Sequence, residues 1–564
     1  MTATSTYEGI ADVACRWLEV DPDFETRVET EQILTSGGLE LNDRFGSWLT
    51  FGTAGIRGQR GAGPMRMNRV LVRSVSAAVA ERVSNSVDHR KPLIVVGFDA
   101  RYQSETFAID TARVLAARDV KCIVLSRPLP TPVLAYAVRE LNADAGVMIT
   151  ASHNPAVDSG YKLYWSDGAQ IIPPIDSDIL SLINSNDLLS DADLAQSDNP
   201  LISYVSDEIV DRYLNMASSV VSANGPRKVE TVYTALHGVG SSTLLSAFQR
   251  TGFDAPIMVA SQEHPDPDFP TVEFPNPEEN GVLDEAFSLA SRKEADLVLA
   301  NDPDADRLAV AVPDNNVWRK LTGDEVGCLL AEYLLTRDSG GDRLVVTSVV
   351  SSRLLAQIAS YHGVHYVETL TGFKWIVRPG IDSQSHRFVF GYEEALGYSV
   401  SEQVRDKDGI TAALVFSELA ASLLADGRTV CDLLNDLWIR HGVHRTGLVT
   451  QRFEHSWTED RIKTVMKNLR GDLPTVLSDR SVNSVIDLKR SETGLPPTDA
   501  LVFEVDKGRV VVRPSGTEAM VKAYVEVVEP VVEGALSVAK QNADRELSKI
   551  SKSVIRLLND RWGQ

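Results

Sequence analysis

Asp302, Asp304 and Asp306 alternate through the stretch NDPDADR, the sharpest concentration of chemistry in the chain. Three carboxylates so close in sequence converge only if something offsets their repulsion, and a divalent cation does this naturally. A calcium loop of the EF-hand type would need glycine at its sixth position and glutamate at its twelfth. Arg307 and Pro313 stand there instead. An exposed acidic turn is the alternative; Pro303 and the flanking apolar runs LVLA and LAVAV favour a fixed loop.

A second group follows the apolar run of GVMITASHNP, where Ser152 and His153 are delivered into a loop that Pro155 stiffens. A serine beside a histidine is not diagnostic alone, since a loop histidine is as readily a hydrogen-bonded structural residue. No GxSxG elbow occurs, which disfavours a serine hydrolase, and no lysine follows a glycine, which disfavours a P-loop kinase. In RPSGTE, Arg513, Ser515, Gly516 and Thr517 offer a guanidinium, two hydroxyls and backbone N–H groups, a cradle suited to a phosphate dianion. An ordinary Ser-Gly turn with a surface arginine is the competing reading. FGTAGIRG adds three glycines, which let backbone approach a ligand, and the charge of Arg57. GYEEALGY places Glu393 and Glu394 just past a strand, where carboxylates could accept sugar hydroxyls. TGFKW brings Lys374, with Thr371 and Gly372, near these loops, and RDKDG brings Lys407; a solvated lysine is the bland reading of each.

The elements that must carry these loops alternate. From residue 93, PLIVVGFDAR, SETFAIDTARVLAARD, KCIVLS, TPVLAYAVRELNA and AGVMITAS read as strand, helix, strand, helix, strand. VETVYTAL, SSTLLSAFQRTG, APIMVA and ADLVLAND form a second such set. RLVVTSVV, SRLLAQIASYHG, HYVETL and RFVFGYEEA form a third. The predicted class is α/β, with largely parallel sheets, and each polar loop falls where open α/β sheets bind ligands, at the carboxyl ends of strands. Residues 1–45 read as a helical N-terminal extension. After about residue 440 the texture becomes that of a smaller α+β domain, with antiparallel strands and the helices TEDRIKTVMKNLR and NADRELSKISKSVIRLLND.

Composition narrows the class further. A length of 564 residues suggests several domains, and 43% apolar with 24% charged residues is ordinary for a globular protein. No run of about 18 apolar residues suggests a membrane span, and the early acidic residues argue against a signal peptide. A formal net charge of −22 disfavours a nucleic-acid surface. Cys15, Cys122, Cys328 and Cys431 form no CxxC pair, so reduced thiols and a cytoplasmic setting are expected.

Taken together, TASHNP, DPDADR, GYEEALGY and RPSGTE, in that order, resemble the signature loops of the α-D-phosphohexomutase family, the phosphoglucomutases and phosphomannomutases, over roughly residues 45–530. The length and the forms of the last two loops are closer to the phosphoglucomutase/phosphopentomutase branch. The resemblance implies three α/β domains (46–215, 216–322 and 323–442) and a mobile α+β domain (443–564), hinged near 440–450, around a central cleft. It implies a Ser152 that carries a phosphoryl group and Mg²⁺ held by Asp302, Asp304, Asp306 and the phosphoserine. Arg57, Lys162, His153 and Lys407 would line the catalytic centre, with the general base undecided among His153 and the two lysines. Arg307, Thr371, Gly372, Lys374 and Glu393 would meet the substrate, and Arg513, Ser515, Gly516, Thr517 and Lys522 its phosphate. Ala395 departs from the pattern, standing where many members have serine. The implied reaction moves a phosphoryl group between O1 and the terminal hydroxyl of an aldose phosphate. A sugar bisphosphate such as glucose 1,6-bisphosphate would act as activator, and neither nucleic acid nor membrane is an expected partner. Hexose phosphates come first and pentose phosphates second. A metal-dependent phosphatase or a non-catalytic sugar-phosphate regulator would leave some of the loops without purpose.

Overall fold

The computed structural model describes residues 3–185, 188–205, 207–452, 458–490, 494–515 and 520–562. They form two compact units, Met1–Lys320 with Gly397–Ser422, and Leu321–Leu396 with Leu423–Gln564. The first unit opens with helices Ala3–Val20, Phe24–Ser36 and Gly38–Phe45. Trp17 anchors them edge-on against Phe45 and Trp48, with ring centroids 6.1 and 5.9 Å away.

The alternation in the sequence then becomes a six-stranded sheet of β1 (Ile56–Gln59), β2 (Leu93–Phe98), β3 (Lys121–Leu125), β4 (Ala145–Ile149), β5 (Asp158–Trp165) and β6 (Ile202–Val205). Its spatial order is β1-β5-β4-β2-β3-β6. β4, β2, β3 and β6 run parallel, and β5 and β1 are added antiparallel at one side. Runs such as LIVV and AGVMI are apolar on both faces because helices cover both sides of a parallel sheet. A second sheet follows from β7 (Thr231–Thr234), β8 (Ile257–Met258), β9 (Leu297–Ala300), β10 (Ala309–Asp314) and β11 (Val317–Lys320), in the order β11-β10-β9-β7-β8. APIMVA shrinks to the two-residue β8. The hairpin of β10 and β11 was not legible, because Asn315 and Asn316 turn the chain with positive φ, where a glycine would have been the clearer signal.

The second unit begins with a capping box. Thr322 Oγ1 accepts from Glu325 N at 3.2 Å, and Thr322 N donates to the Glu325 carboxylate at 3.1 Å, starting the helix Gly323–Arg337. β12 (Arg343–Ser348) pairs in parallel with β13 (His365–Thr369) on one side and β14 (Arg387–Glu393) on the other. The C-terminal strands Val443–Arg452, Met520–Glu529, Gly508–Pro514, Leu501–Val505, Arg480–Asp487 and Val476–Leu477 lie in that order in an antiparallel sheet. Val465, Met466 and Leu469 of one helix, with Ile550, Val554 and Leu558 of another, complete its core. Mixed α/β sheets and a separate α+β C-terminal part agree with the predicted class. All four cysteines are free, and among the described residues no single helix is long and apolar enough to cross a membrane.

Glu526 ties the two sheets of the second unit together. Its buried carboxylate accepts from Ser352 Oγ at 2.7 Å and from Arg353 N and Nε at 2.9 and 3.1 Å. It also meets His444 Nδ1 at 2.9 Å and Arg509 Nε at 3.5 Å. Burial alone would raise its pKa, yet the His444 hydrogen bond and charge, with Arg509 and Arg353, bring it down to about 2. Its stabilising contribution is therefore present above the ordinary value of 4.5 and is lost as pH falls from there toward 2. Glu526→Gln takes the charge away from the buried Arg509 and the partly exposed Arg353 and is expected to cost about 3 kcal/mol, read as lost hydrogen-exchange protection of the Met520–Glu529 amides at neutral pH. The same variant should lack this part of the acid sensitivity.

Candidate active site and metal centre

Asp302, Asp304 and Asp306 occupy the loop leaving the carboxyl end of β9, and all three are fully buried. One ligand oxygen from each lies within 4.8 Å of the others. The loop is clipped shut by Asn301, whose Nδ2 donates to Arg307 O at 2.5 Å while its Oδ1 accepts from the Tyr233 hydroxyl at 2.7 Å. Lys162 Nζ donates to Asp304 Oδ2 at 2.6 Å and Asp306 Oδ2 at 2.8 Å. Lys407 Nζ stands 3.2 Å from Asp306 Oδ2, and the Thr131 hydroxyl donates to Asp304 Oδ2 at 2.6 Å. Asp302 Oδ1 accepts from Arg307 N at 3.0 Å. What remains is telling: Oδ1 of Asp304 and Oδ1 of Asp306 are buried without a hydrogen-bond partner. An all-oxygen donor set with two orphaned carboxylate oxygens fits a hard divalent cation.

The charges divide unevenly within the triad. Burial, followed by the neighbouring charges of Asp304 and Asp306, pushes Asp302 up to about 8. Asp306 is held well below its ordinary value: burial opposes this, but Lys162, Lys407 and Arg307 outweigh it. Lys162 is desolvated by burial, yet Asp304 and Asp306 raise its pKa and keep it a cation.

Ser152 follows β4 and is also fully buried. Its Oγ donates to Asp302 Oδ2 at 2.8 Å and lies 3.2 Å from His153 Nδ1. The two loops read separately from the sequence are thus joined by a direct contact across 150 residues. The His153 ring lies 6.2 Å from that of Phe274, and burial, then Arg307 and Arg57, depress its pKa well below the ordinary value. Of the three candidate bases, only His153 has a hydrogen-bonding contact with Ser152 Oγ, whereas the Lys162 and Lys407 ammonium groups meet the aspartates.

Strand register explains how the basic residues arrive. Lys162 on β5 pairs with Met148 on β4, so it lies one strand from the serine. Arg57 on β1 pairs with Gly160 of β5, and its Nη1 donates to Asn154 Oδ1 at 3.2 Å. One glycine of FGTAGIRG needs a correction. Gly55 has φ +88°, and a Cβ there would lie 2.4 Å from Tyr161 O, so the glycine lets the chain pass over β5 rather than approach a ligand. Lys407 enters on the segment that returns to the first unit. Its neighbour Asp406 accepts from the Tyr164 hydroxyl and Gln170 Nε2 at 2.6 and 2.7 Å and meets Lys407 Nζ at 3.3 Å. Arg307 Nε lies 3.8 Å from Asp302 and its Nη1 3.6 Å from Glu278. Sequence reasoning missed Asn301, Thr131 and Asp406. Asn301 alone was signalled, by its place at the head of the loop.

The second unit holds the other predicted residues. Gly372, at φ +107°, donates its N–H to Glu393 Oε1 at 2.5 Å, which brings the TGFKW and GYEEALGY loops together. Thr371, Lys374 and Ala395 are half-buried beside them in sequence. Glu394 Oε2 accepts from Ser351 and Ser348 at 3.1 and 3.3 Å. Arg513 sits directly across from Lys522 on adjacent antiparallel strands, and Ser515 N donates to Met520 O at 2.9 Å. Gly516 and Thr517 lie outside the described residues.

A cation that binds the folded triad raises the melting temperature, by an amount equivalent to about 2.7 kcal/mol at a hundredfold excess over Kd. Millimolar Mg²⁺ should shift the melting curve upward and EDTA should reverse the shift. Asp304→Asn should abolish the response without unfolding the protein, as read by thermal denaturation followed by circular dichroism.

Family models described as phosphoglucomutase/phosphomannomutase alpha/beta/alpha domains I, II and III match residues 49–190, 211–315 and 322–441, and the corresponding C-terminal domain matches 462–539. The chain is 40% identical to a protein of Haemophilus influenzae named probable phosphomannomutase, covering 89% of this chain and 99% of that one. It is 35% identical to the human phosphopentomutase, covering 91% of each. In fold it is similar to the solved open form of the Paramecium phosphoprotein parafusin, a phosphoglucomutase. The TM-score is 0.68 at 18% identity, covering 90% of this chain and 96% of that one.

Proposed function

The chain belongs to the phosphoglucomutase/phosphomannomutase family, and from that membership we propose how its residues carry out the reaction. It is a phosphosugar mutase, an isomerase that relocates a phosphoryl group on a sugar phosphate. Ser152 carries the phosphoryl group, and the observation behind this role is the 2.8 Å contact of its Oγ with the aspartate triad.

Direct transfer between O1 and a distant terminal hydroxyl is geometrically difficult, and a phosphoserine divides it into two in-line steps. The phosphoserine gives its phosphoryl group to the free hydroxyl of the sugar monophosphate, whose proton ends on the released Ser152 Oγ, forming a bisphosphorylated sugar. The other phosphoryl group then returns to Ser152 Oγ. His153 holds or accepts the proton at that oxygen, from 3.2 Å. Lys162, Lys407, Arg57 and Arg307 keep positive charge around the transferring group. Mg²⁺ held by Asp302, Asp304, Asp306 and a phosphoserine oxygen supplies, when bound, neutralisation of the developing charge. Glu393, with Thr371, Gly372 and Lys374, receives the sugar hydroxyls. Arg513, Ser515, Gly516, Thr517 and Lys522 hold the phosphate that is not reacting. Glucose 1,6-bisphosphate, or a similar bisphosphate, charges the serine, and four free thiols favour the cytoplasm.

Glucose and mannose phosphates are the first reading of the substrate. Pentose phosphates are the second, favoured by Ala395, which lacks the hydroxyl many members present to the sugar, and by the phosphopentomutase relative. A ³¹P NMR panel of glucose, mannose, glucosamine, ribose and deoxyribose 1-phosphates, with Mg²⁺ and catalytic bisphosphate, decides between them. Inorganic phosphate in place of an isomer would make the protein a phosphatase.

Ser152→Ala should remain folded and lose at least about a thousandfold in turnover in that assay; wild-type turnover would sink the assignment. Arg513→Ala removes charge-assisted hydrogen bonds of about 1.5–3 kcal/mol, so KM should rise about tenfold to a hundredfold. An unchanged KM and kcat would place the phosphate elsewhere.

A further inference from the structure

Ser152 has φ +54°, the left-handed conformation that costs a non-glycine residue roughly 1–2 kcal/mol and persists only where its surroundings impose it. One side chain dominates those surroundings. Arg101, buried in the turn after β2, donates from Nη2 to Ser152 O and to Asn154 O, each at 2.6 Å. From Nη1 it donates to Pro155 O at 2.8 Å and to Asp158 O at 3.4 Å. Four carbonyls of the serine loop therefore end on one guanidinium.

The guanidinium is fixed in turn. Asp99 Oδ2 lies 3.3 Å from Nε, the Phe269 ring centroid lies 5.0 Å from the guanidinium carbon, and Asp99 Oδ1 accepts from Arg101 N and Ser104 Oγ. On the other side of the serine, Ser152 N donates to Thr150 Oγ1 at 2.9 Å. A planar fork with five donors suits several converging carbonyls at once, and a lysine's single ammonium does not.

We propose that Arg101 is a positioning residue for phosphoryl transfer. By drawing the loop carbonyls onto its fork, it holds Ser152 left-handed with Oγ at the aspartate triad. The proposal rests on the reading of Ser152 as phosphoryl carrier. Arg101 is bonded to the backbone of the loop rather than to Oγ, so it acts through backbone geometry. Carbonyl oxygens that end on the guanidinium are also withheld from the phosphoryl anion, which they would repel.

The test uses the full chain with Mg²⁺ and glucose 1,6-bisphosphate as phosphoryl donor, following the appearance of phosphoserine by quenched-flow intact mass. In Arg101→Lys the limiting rate should fall about a hundredfold, the scale of a 1 Å misplacement. The half-saturating concentration should stay within about threefold of wild type, since binding is untouched. The Mg²⁺-induced rise in melting temperature should survive. Thr150→Val, an isosteric change that removes the other restraint on Ser152, should lose about tenfold in the same rate. If Arg101→Lys does not fold, Phe269→Leu, which removes the ring packed on the guanidinium, takes its place, with a smaller loss in the same rate expected.

Folded variants that phosphorylate Ser152 at the wild-type rate overturn the proposal. So does a rate loss accompanied by weakened half-saturation or a lost Mg²⁺ response, which would mean general damage. A wild-type protein that never acquires phosphate on Ser152 overturns the underlying reading as well, and that outcome is visible before any variant is made.

Discussion

Three carboxylates can share one solvent-free loop because a buried ammonium, that of Lys162, stands between two of them. An unpaired carboxylate in such a place costs several kcal/mol, so without this cation the loop would open to water or bind protons. Lys162 takes one oxygen from Asp304 and one from Asp306 and leaves the other oxygen of each bare. It therefore balances charge without filling the positions a metal ion needs. The arrangement depends on register: β5 lies antiparallel to β4 with Lys162 opposite Met148. A slip of one residue would turn the ammonium to the other face of the sheet.

The serine loop depends on the same constraint from its other end. Its hydroxyl donates to the one aspartate that Lys162 does not touch, and its backbone is gathered on the far side by Arg101. Ser152 is thus held by a charge cluster in front and a hydrogen-bonded fork behind. This explains how a residue in a sparsely populated backbone conformation can be so fully buried. Second contacts extend the network: Thr131 begins a helix and fixes Asp304, while Tyr164 and Gln170 fix Asp406 beside Lys407.

Much of this could be read from residue types and spacing. Alternating aspartates bounded by apolar runs, and a strand ending in Ser-His-Asn-Pro, each pointed to a loop at the carboxyl end of a strand. The β-α alternation was strong because parallel strands covered on both faces are apolar throughout. The partners were harder to see. Lys162 sits in SGYKLYW as one lysine in a strand buried on both faces, and the pairing of β5 with β4 shows which way it matters. Arg101, at the end of a strand in FDAR, looks like an ordinary surface arginine, because carbonyl acceptors leave no mark in a sequence. Asn315 and Asn316 hid a hairpin for the related reason that left-handed asparagines are rarer than glycines. Gly55 of FGTAGIRG misled in the opposite direction, since close packing against β5 and close approach to a ligand demand the same residue.

The first unit is interrupted: its chain leaves at Lys320 and returns at Gly397, bringing Lys407 back to Asp306. On the ribosome, the aspartate loop is therefore finished long before one of its cations exists. At synthesis rates of roughly 5–20 residues per second, the interval of about a hundred residues lasts several seconds or more. During that time Lys162 is the one of the two lysines that meets the acidic loop, and Asp306 still lacks the ammonium of Lys407. The order of translation thus makes the returning segment the closing step of the catalytic core. A truncated or stalled chain ending before it would leave Asp306 without the Lys407 ammonium that stands 3.2 Å away in the finished fold.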